Sequence, residues 1–525
     1  MDSANPRWRT GAPARWFNKE FQKRSRAKLI EDPIRMKTLF AFDDHSIPFR
    51  SNLDLVLLPG VKYSGNPVLR RGRPGDPDAK WARLWGGTVL HDQGKFRMWY
   101  SGVGSIEEWT NMRFQALYAE SDDGFDWHKP KLGLMEYRGS SANNLVDAGG
   151  PVEMPAVMRD DDDDVPNDHR YKMYSENLHA NPIEPFVAVS AEGLRWRIIA
   201  RPSYRGVSLY RFKGHYHSAF VDHAMKLPGG FEGGRIMSVI RSSNFRLWES
   251  PPVLAFHRAS YFTNPPDISE QVHTPAGFWN RGNVVVGVYG QIHQVECRPG
   301  IRPVRLDSGL EEVCVDLGLF ISNDGLHFRE PIPGFKIVAR GQEGQWDGGC
   351  VVPAHAFVNV GEHTYLYYGG WDNGLCYENS AGDVGAAFWR RDGMGHVRVR
   401  DHDRPGICQT ETIEAGGIDR SVYVNFDVDA YRPGCGLDFE LVDAEGVVIP
   451  GYSAADCVTC SEPGLRQPVR WKDHHVISAR LKDPVALRVI FRSNHDVNES
   501  LQYGSSPMLY CVYITESEEP IDDTD

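Results

Sequence analysis

Apolar residues in this chain come in short runs separated by turn-forming residues, as in Lys95-Phe-Arg-Met-Trp-Tyr100, Val284-Val-Val-Gly-Val-Tyr289 and Tyr365-Leu-Tyr-Tyr368. Alternation within the runs is imperfect, which fits strands packed on both faces between neighbouring sheets. A recurring phrase marks where runs end. It reads Tyr118-Ala-Glu-Ser-Asp-Asp-Gly-Phe-Asp-Trp127 and returns as Val189-Ser-Ala-Glu-Gly-Leu-Arg-Trp196, Ile240-Arg-Ser-Ser-Asn-Phe-Arg-Leu-Trp248, Phe320-Ile-Ser-Asn-Asp-Gly-Leu-His-Phe328 and Phe388-Trp-Arg-Arg-Asp-Gly-Met394. Each copy predicts a strand, a tight polar turn and an aromatic that plugs the next strand, because Gly accepts positive φ and Asp bonds nearby backbone N–H groups. Repetition over several tens of residues points to stacked units or propeller blades.

The runs sort into five four-stranded units, so the expected fold is all-β: a five-bladed β-propeller followed by a β-sandwich. The N-terminal arm spans 1–50, the propeller 51–404, the sandwich 405–517 and an acidic tail 518–525. After about residue 405 the repeat stops. Phe439 to Ile449, Val469 to Trp471, Val476 to Leu481, Val485 to Phe491 and Met508 to Ile514 then read as sandwich strands.

Composition adds limits. The 525 residues carry 52 Gly, 34 Pro and 11% aromatics, which favours a turn-rich β protein over a helical one. A net charge of -12 argues against nucleic acid as the main partner, and the basic residues between 7 and 28 read as a solvated arm. The N-terminus lacks the apolar core of a secretory signal and no run is long enough to span a membrane, so the chain reads as soluble and cytoplasmic, with secretion left open if a leader was removed. Nine Cys without framework spacing suggest free thiols, Cys457-Val-Thr-Cys460 among them.

In a propeller each inner strand starts on the face where the second strand ends. That face would gather Trp85, Glu153, Arg205, His273, Trp346 and Asp347 from strand starts, and Glu176, Asp222, Gln291, His293, Trp371 and Asp372 from strand exits. Trp faces suit sugar C–H groups, Arg and Asp clamp hydroxyls, and paired carboxylates can cleave a glycosidic bond. Glu153 and Asp347 are the expected catalytic pair, with Glu270 in reserve and the others lining the substrate. His273 and His293 could instead serve a metal-assisted hydrolase, and a non-catalytic glycan-binding propeller is a third reading. No cofactor is expected. The acidic run Asp160 to Asp164 falls on the opposite face and reads as a solvated turn, with calcium as the alternative.

The five hairpins, together with Gly344-Gln-Trp-Asp-Gly-Gly349, Tyr367-Tyr-Gly-Gly-Trp-Asp372, Trp279-Asn-Arg-Gly-Asn283, Ile449-Pro-Gly-Tyr-Ser453 and Leu465-Arg-Gln-Pro-Val-Arg-Trp471, resemble invertase-like (fructosidase-like) glycoside hydrolases. The resemblance implies a carbohydrate-active propeller with a C-terminal sandwich. The chain departs from that family at the first inner strand, where Arg83-Leu-Trp-Gly-Gly-Thr88 holds no carboxylate, and at the third, which reads Ser203-Tyr-Arg-Gly-Val207. The catalytic carboxylates would then sit on other blades, with Asp43 or Asp44 contributing from the arm.

Overall fold

The computed structural model describes residues 36–516 except 112, 163, 223–234, 249–250, 259–269, 294–313, 373–380, 415–416, 429–434 and 494–505. Nearly all regular structure among the described residues is β; the short helix Ile106–Thr110 is capped by Ser105, and Asn167–His169 forms a 3-10 turn.

Pairing sorts the strands between the arm and residue 390 into five consecutive antiparallel sets. Trp81–Asp92, Lys95–Val103 and Gln115–Ser121 form the first, and Leu145 bridges its outer edge. Glu153–Arg159, Tyr171–Asn177, Glu184–Ser190 and Arg197–Ala200 form the second. The third is Tyr210–Phe212, His215–Asp222, Ile236–Ser242 and Val253–Phe256. The fourth is Glu270–Asn280, Val285–His293, Cys314–Ser322 and Lys336–Val338. In the fifth, Cys350–Val352 and Phe357–Val360 pair with His363–Trp371, which pairs with Gly382–Arg390. Its outermost strand is supplied by Val61–Lys62, so the start of the repeat region is hydrogen-bonded to its end. The inner strands of the first and fifth sets also touch: Gly86 N–H donates to Pro353 O at 2.9 Å and His355 N–H to Gly87 O at 2.8 Å.

The recurring phrase folds the same way in four of its copies. Ser121, Ser190 and Ser322 accept the N–H of Gly124, Gly193 and Gly325, each at 2.9 Å, and Asp123 and Asp324 accept two further N–H groups each. In the copy at 242–248 Asn244 takes the Asp role, and Phe245 holds the left-handed φ of 64° that Gly holds elsewhere. The glycine carbonyls then rivet neighbouring sets. Trp99 Nε1–H donates to Gly193 O at 2.6 Å, Tyr210 Oη–H to Gly325 O at 2.7 Å and Tyr367 Oη–H to Gly124 O at 3.0 Å.

Two sheets form the sandwich around one apolar cluster that includes Phe426, Phe439, Trp471 and Phe491. One contains Lys37–Phe40, Leu53–Leu57, Gly395–Val399, Arg420–Val428, Gly464–Pro468 and Pro507–Glu516; the other contains Phe49–Ser51, Gly406–Ile413, Gly436–Val442 and Val485–Arg492. Residues 37–57 therefore pair with the C-terminal strands, and 395–399, placed in the expected propeller by its boundary at 404, joins them. The strand expected to continue to Ile449 stops at Val442, because Asp443 Oδ1 accepts the N–H groups of Glu445 and Val447 and Gly446 turns the chain at φ 80°. Asp392 of the fifth repeat copy ties the two parts together: it is buried, ion-paired with Arg281 at 3.1 Å and accepts from Tyr513 Oη–H at 2.7 Å.

Candidate active site

The inner strands bend where the site forms. The register shifts between Arg83 and Thr88, between Glu153 and Ala156, and twice between His273 and Trp279. Such bulges re-aim side chains. At two of these kinks Gly86, at φ 61°, faces Met154, a non-glycine residue at φ 52°; a Cβ on Gly86 would lie 2.8 Å from the Met154 side chain.

Arg83 is the hub of the site. Its guanidinium lies 3.7 Å over the Trp85 ring, 4.6 Å over Phe114 and 5.7 Å from Trp371, and its Nη1 donates to Glu153 Oε1 at 2.6 Å. Alternate residues of a strand share a face, which brings Arg83 and Trp85 together. Trp85 packs at 4.8 Å against His273 and edge-on at 5.5 Å against Trp371, which stacks on Trp81 at 5.3 Å. Arg235 Nη1 donates to His273 Nδ1 at 2.6 Å, so that nitrogen acts as an acceptor. The indole N–H groups of Trp85 and Trp371 are buried without an acceptor among the described residues, leaving two donors at this place.

Glu153 and Glu176 stand opposite each other on adjacent antiparallel strands. Their surroundings differ. Burial pushes the Glu153 carboxyl above its ordinary range, Arg83 pulls the other way and the charge of Glu176 adds to the rise. Glu176 is fully buried and held by a two-pronged pair with Arg205, whose Nε donates to Oε2 at 2.8 Å while Nη2 bonds Oε1. Arg205 is brought close by Gly206, where a Cβ would meet the Tyr174 ring at 2.1 Å, and by Tyr174 Oη–H donating to Tyr204 O at 2.7 Å.

Asp347 sits in other company. It is buried, bonded by Lys62 Nζ at 2.6 Å and Tyr368 Oη–H at 3.1 Å. The same arrangement occurs in the first set: Asp78, three residues before its inner strand, accepts from Tyr100 Oη–H at 2.8 Å and Lys129 Nζ at 2.5 Å. Both aspartates end a Gly-x-x-Gly-x-x-Asp segment, at 72–78 and 341–347, whose first Gly N–H bonds the Asp carbonyl. This repetition marks Asp347 as a brace between an inner-strand start and an outer strand.

The remaining candidates scatter. Trp346 stacks on Tyr368 at 5.8 Å within the fifth set, and Gln291 is buried against Tyr289 and Phe335 O. Asp372 follows Trp371 and caps its hairpin by accepting the Ala381 N–H at 2.8 Å. Asp44 is paired with Arg329 beside the Ser322 turn, on the face away from Glu153, because residues 37–40 pair with the sandwich. Glu270 and His293 face each other in backbone register, and Asp222 ends its strand opposite Ile236; their side chains lie outside the described part. Sequence reasoning named Glu153, Glu176, Arg205, Trp85, Trp371 and His273, which the structure links through shared contacts. It missed Arg83 and Arg235, although the Arg83-x-Trp85 spacing was a usable signal.

Asp160 is buried rather than solvated, paired with Lys172 at 2.9 Å and Arg211 at 2.9 Å; Asp161 and Asp162 pair with Arg159, Arg170 and Arg211. Among the described residues no three His, Cys, Asp or Glu side chains gather closely enough to hold a metal ion, and no helix is long and apolar enough to cross a membrane. Burial raises the Cys457 and Cys460 thiols to about 11 and about 12.

No family model matches the chain, and no curated protein matches it. Solved structures do. A glycosyl hydrolase from Bacteroides ovatus shares 14% identity over 64% of this chain and 94% of its own, with a TM-score of 0.39. A structure from work on the GH130 family of mannoside phosphorylases, which contains hydrolases targeting β-1,2 mannosidic linkages, shares 15% over 64% and 94%, with a TM-score of 0.40. A family 43 arabinoxylan arabinofuranohydrolase from Bacillus subtilis, in complex with cellotetraose, shares 12% over 87% and 99%, with a TM-score of 0.34. All three scores lie below 0.5.

Proposed function

We propose that the chain is a glycoside hydrolase of five-bladed propeller type that cleaves a glycosidic bond at the mouth formed by Arg83, Trp85, Glu153, Glu176, Arg205, His273 and Trp371. The observation that carries this reading is the opposed pair Glu153 and Glu176, two carboxyl groups at one register position, the first raised by burial and the second held in a two-pronged pair with Arg205. That is the division of labour acid/base catalysis needs. Glu153, raised by burial, donates its proton to the departing glycosidic oxygen. Glu176, charge-compensated by Arg205, is the second carboxylate, acting on the anomeric carbon or on a water. A carboxyl separation of about 5–5.5 Å would give retention of anomeric configuration and one of about 6.5–9.5 Å inversion. Trp85 and Trp371 offer apolar edges and indole donors to the sugar ring. The ligand class is a glycan, in keeping with a mouth built of Trp, Arg and carboxylate.

The reading departs from the expected Glu153 and Asp347 pair by giving Asp347 a bracing role. Release of reducing sugar from a glycan panel by the wild type, lost in both Glu153→Gln and Glu176→Gln, supports it; full activity in either variant removes that residue from the chemistry. Binding of a glycan without turnover by the wild type would favour a non-catalytic lectin-like propeller instead.

A further inference from the structure

Two inner strands lock together at their kinks. Trp81–Asp92 breaks its register between Arg83 and Thr88, and Glu153–Arg159 breaks its register between Glu153 and Ala156. A bulge leaves backbone groups without ladder partners, and when buried they need other ones. At the second kink side chains supply them. Ser175 Oγ–H donates to Glu153 O at 2.5 Å, and Thr88 Oγ1–H donates to Pro155 O at 3.3 Å while accepting the Val157 N–H at 2.8 Å. Ser175 stands on the strand paired with the kink, whereas Thr88 comes from the neighbouring set. Both are fully buried.

Between these anchors the chain is strained, because Met154 holds a left-handed φ of 52°, which is uncommon for a bulky side chain. Such a conformation persists only where its surroundings over-determine it. The first kink provides those surroundings: Gly86 leaves room for the Met154 side chain, Thr88 holds residues 155 and 157, and Arg83 takes the Glu153 carboxyl at 2.6 Å. That kink is itself fixed from the fifth set, by Gly86 N–H on Pro353 O and Val89 N–H on His355 O, both at 2.9 Å. One strand thus grips Glu153 twice, through its side chain from Arg83 and through its backbone from Thr88.

We propose that Thr88 and Ser175 are positioning residues, whose hydroxyls fix the 153–157 kink and with it the place of the Glu153 carboxyl between Arg83 and Glu176. The first inner strand, which holds no carboxylate, then serves the site by aiming one on its neighbour. The effect on turnover rests on the reading of Glu153 as the acid; the placement does not. The test uses the full-length protein with glutamate isotope-labelled at the side-chain carboxyl carbon, the Glu153 resonance being identified by its loss in Glu153→Gln. Its titration midpoint is read by NMR in wild type, Thr88→Val, Thr88→Ser, Ser175→Ala and Tyr210→Phe. Thr88→Val keeps the shape without the hydroxyl, Thr88→Ser restores the hydroxyl, and Tyr210→Phe deletes a different bond between sets, to Gly325 O, as a control for lost stability. The midpoint should move by about half a pH unit or more in Thr88→Val and in Ser175→Ala, and stay at the wild-type value in Thr88→Ser and Tyr210→Phe. Ser175→Ala carries the test alone if Thr88→Val does not fold. On a glycan that the wild type turns over, kcat should fall about tenfold or more in the same two variants with KM within about twofold. A midpoint that stays in place in either variant strikes that residue from the role, and one that moves as far in Tyr210→Phe overturns the proposal. A moved midpoint with unchanged kcat upholds the positioning and removes Glu153 from the chemistry, so the two failures are told apart.

Discussion

Glu153 and Glu176 face each other across adjacent strands, and each is held by its own arginine: Arg83 at 2.6 Å on one, Arg205 in a two-pronged grip on the other. The opposed pair is therefore held by arginines from different parts of the strand repeat. Arg83 comes from the first set and Arg205 from the link between the second and third, so contacts between sets position both carboxyl groups.

Glu153 titrates above its ordinary range because it is buried, and Arg83 opposes the rise. A proton donor works only while protonated, so activity should fall as pH rises through that raised pKa. Replacing Arg83 with Gln removes the opposing charge, and the alkaline limb of kcat/KM against pH should then move to higher pH. A limb that stays in place or moves to lower pH would show that Glu153 is not the group being read.

Asp347→Asn should lower stability while leaving kcat within a small factor of wild type. The variant loses the charge that Lys62 answers but keeps a group for Tyr368 to bond, and removing one member of a partly buried pair costs roughly 1–3 kcal/mol. Denaturant midpoints measured beside turnover separate this from a catalytic role, in which kcat falls and the midpoint holds.

The rivets between sets are open to a clean deletion. Tyr210→Phe removes only the hydroxyl that reaches Gly325 O at 2.7 Å. It leaves a buried carbonyl short of a donor, at about 1–3 kcal/mol, and a shift in urea midpoint of that size is expected.

Three buried histidines set the acid limit of the fold. His217, His355 and His396 are pushed from 6.5 to about 4 by burial, so the folded state binds fewer protons than the unfolded chain between those values. Stability is therefore full above about pH 6.5 and is lost as pH falls toward 4, by on the order of 3 kcal/mol per histidine. A melting temperature that stays flat across that range contradicts the assignment.

The strand order and the repeated turn could be read from the chain because both rest on local rules: short apolar runs bounded by turn residues, Gly at positive φ, and Asp on backbone N–H groups. That Glu153, Glu176 and Arg205 lie together could be read for the same reason, since strand starts and exits follow from counting. The partner of Asp347 could not be read from the chain, because Lys62 lies 285 positions earlier and reaches it only when Val61–Lys62 closes the fifth set. The duplicate at Asp78 was present in the Gly-x-x-Gly-x-x-Asp spacing and would have argued for a brace. Residues 37–57 likewise joined the sandwich through pairing with 395–399, 406–413 and 507–516, which no local pattern announces.

The most direct measurement is reducing-sugar release from a glycan panel by wild type, Glu153→Gln, Glu176→Gln and Asp347→Asn, with folding of each checked by its unfolding midpoint. The account predicts turnover reduced by about 100-fold or more in the two glutamate variants and retained in Asp347→Asn. Loss in Asp347→Asn with retention in Glu176→Gln would contradict it and return the chemistry to the pair at Glu153 and Asp347.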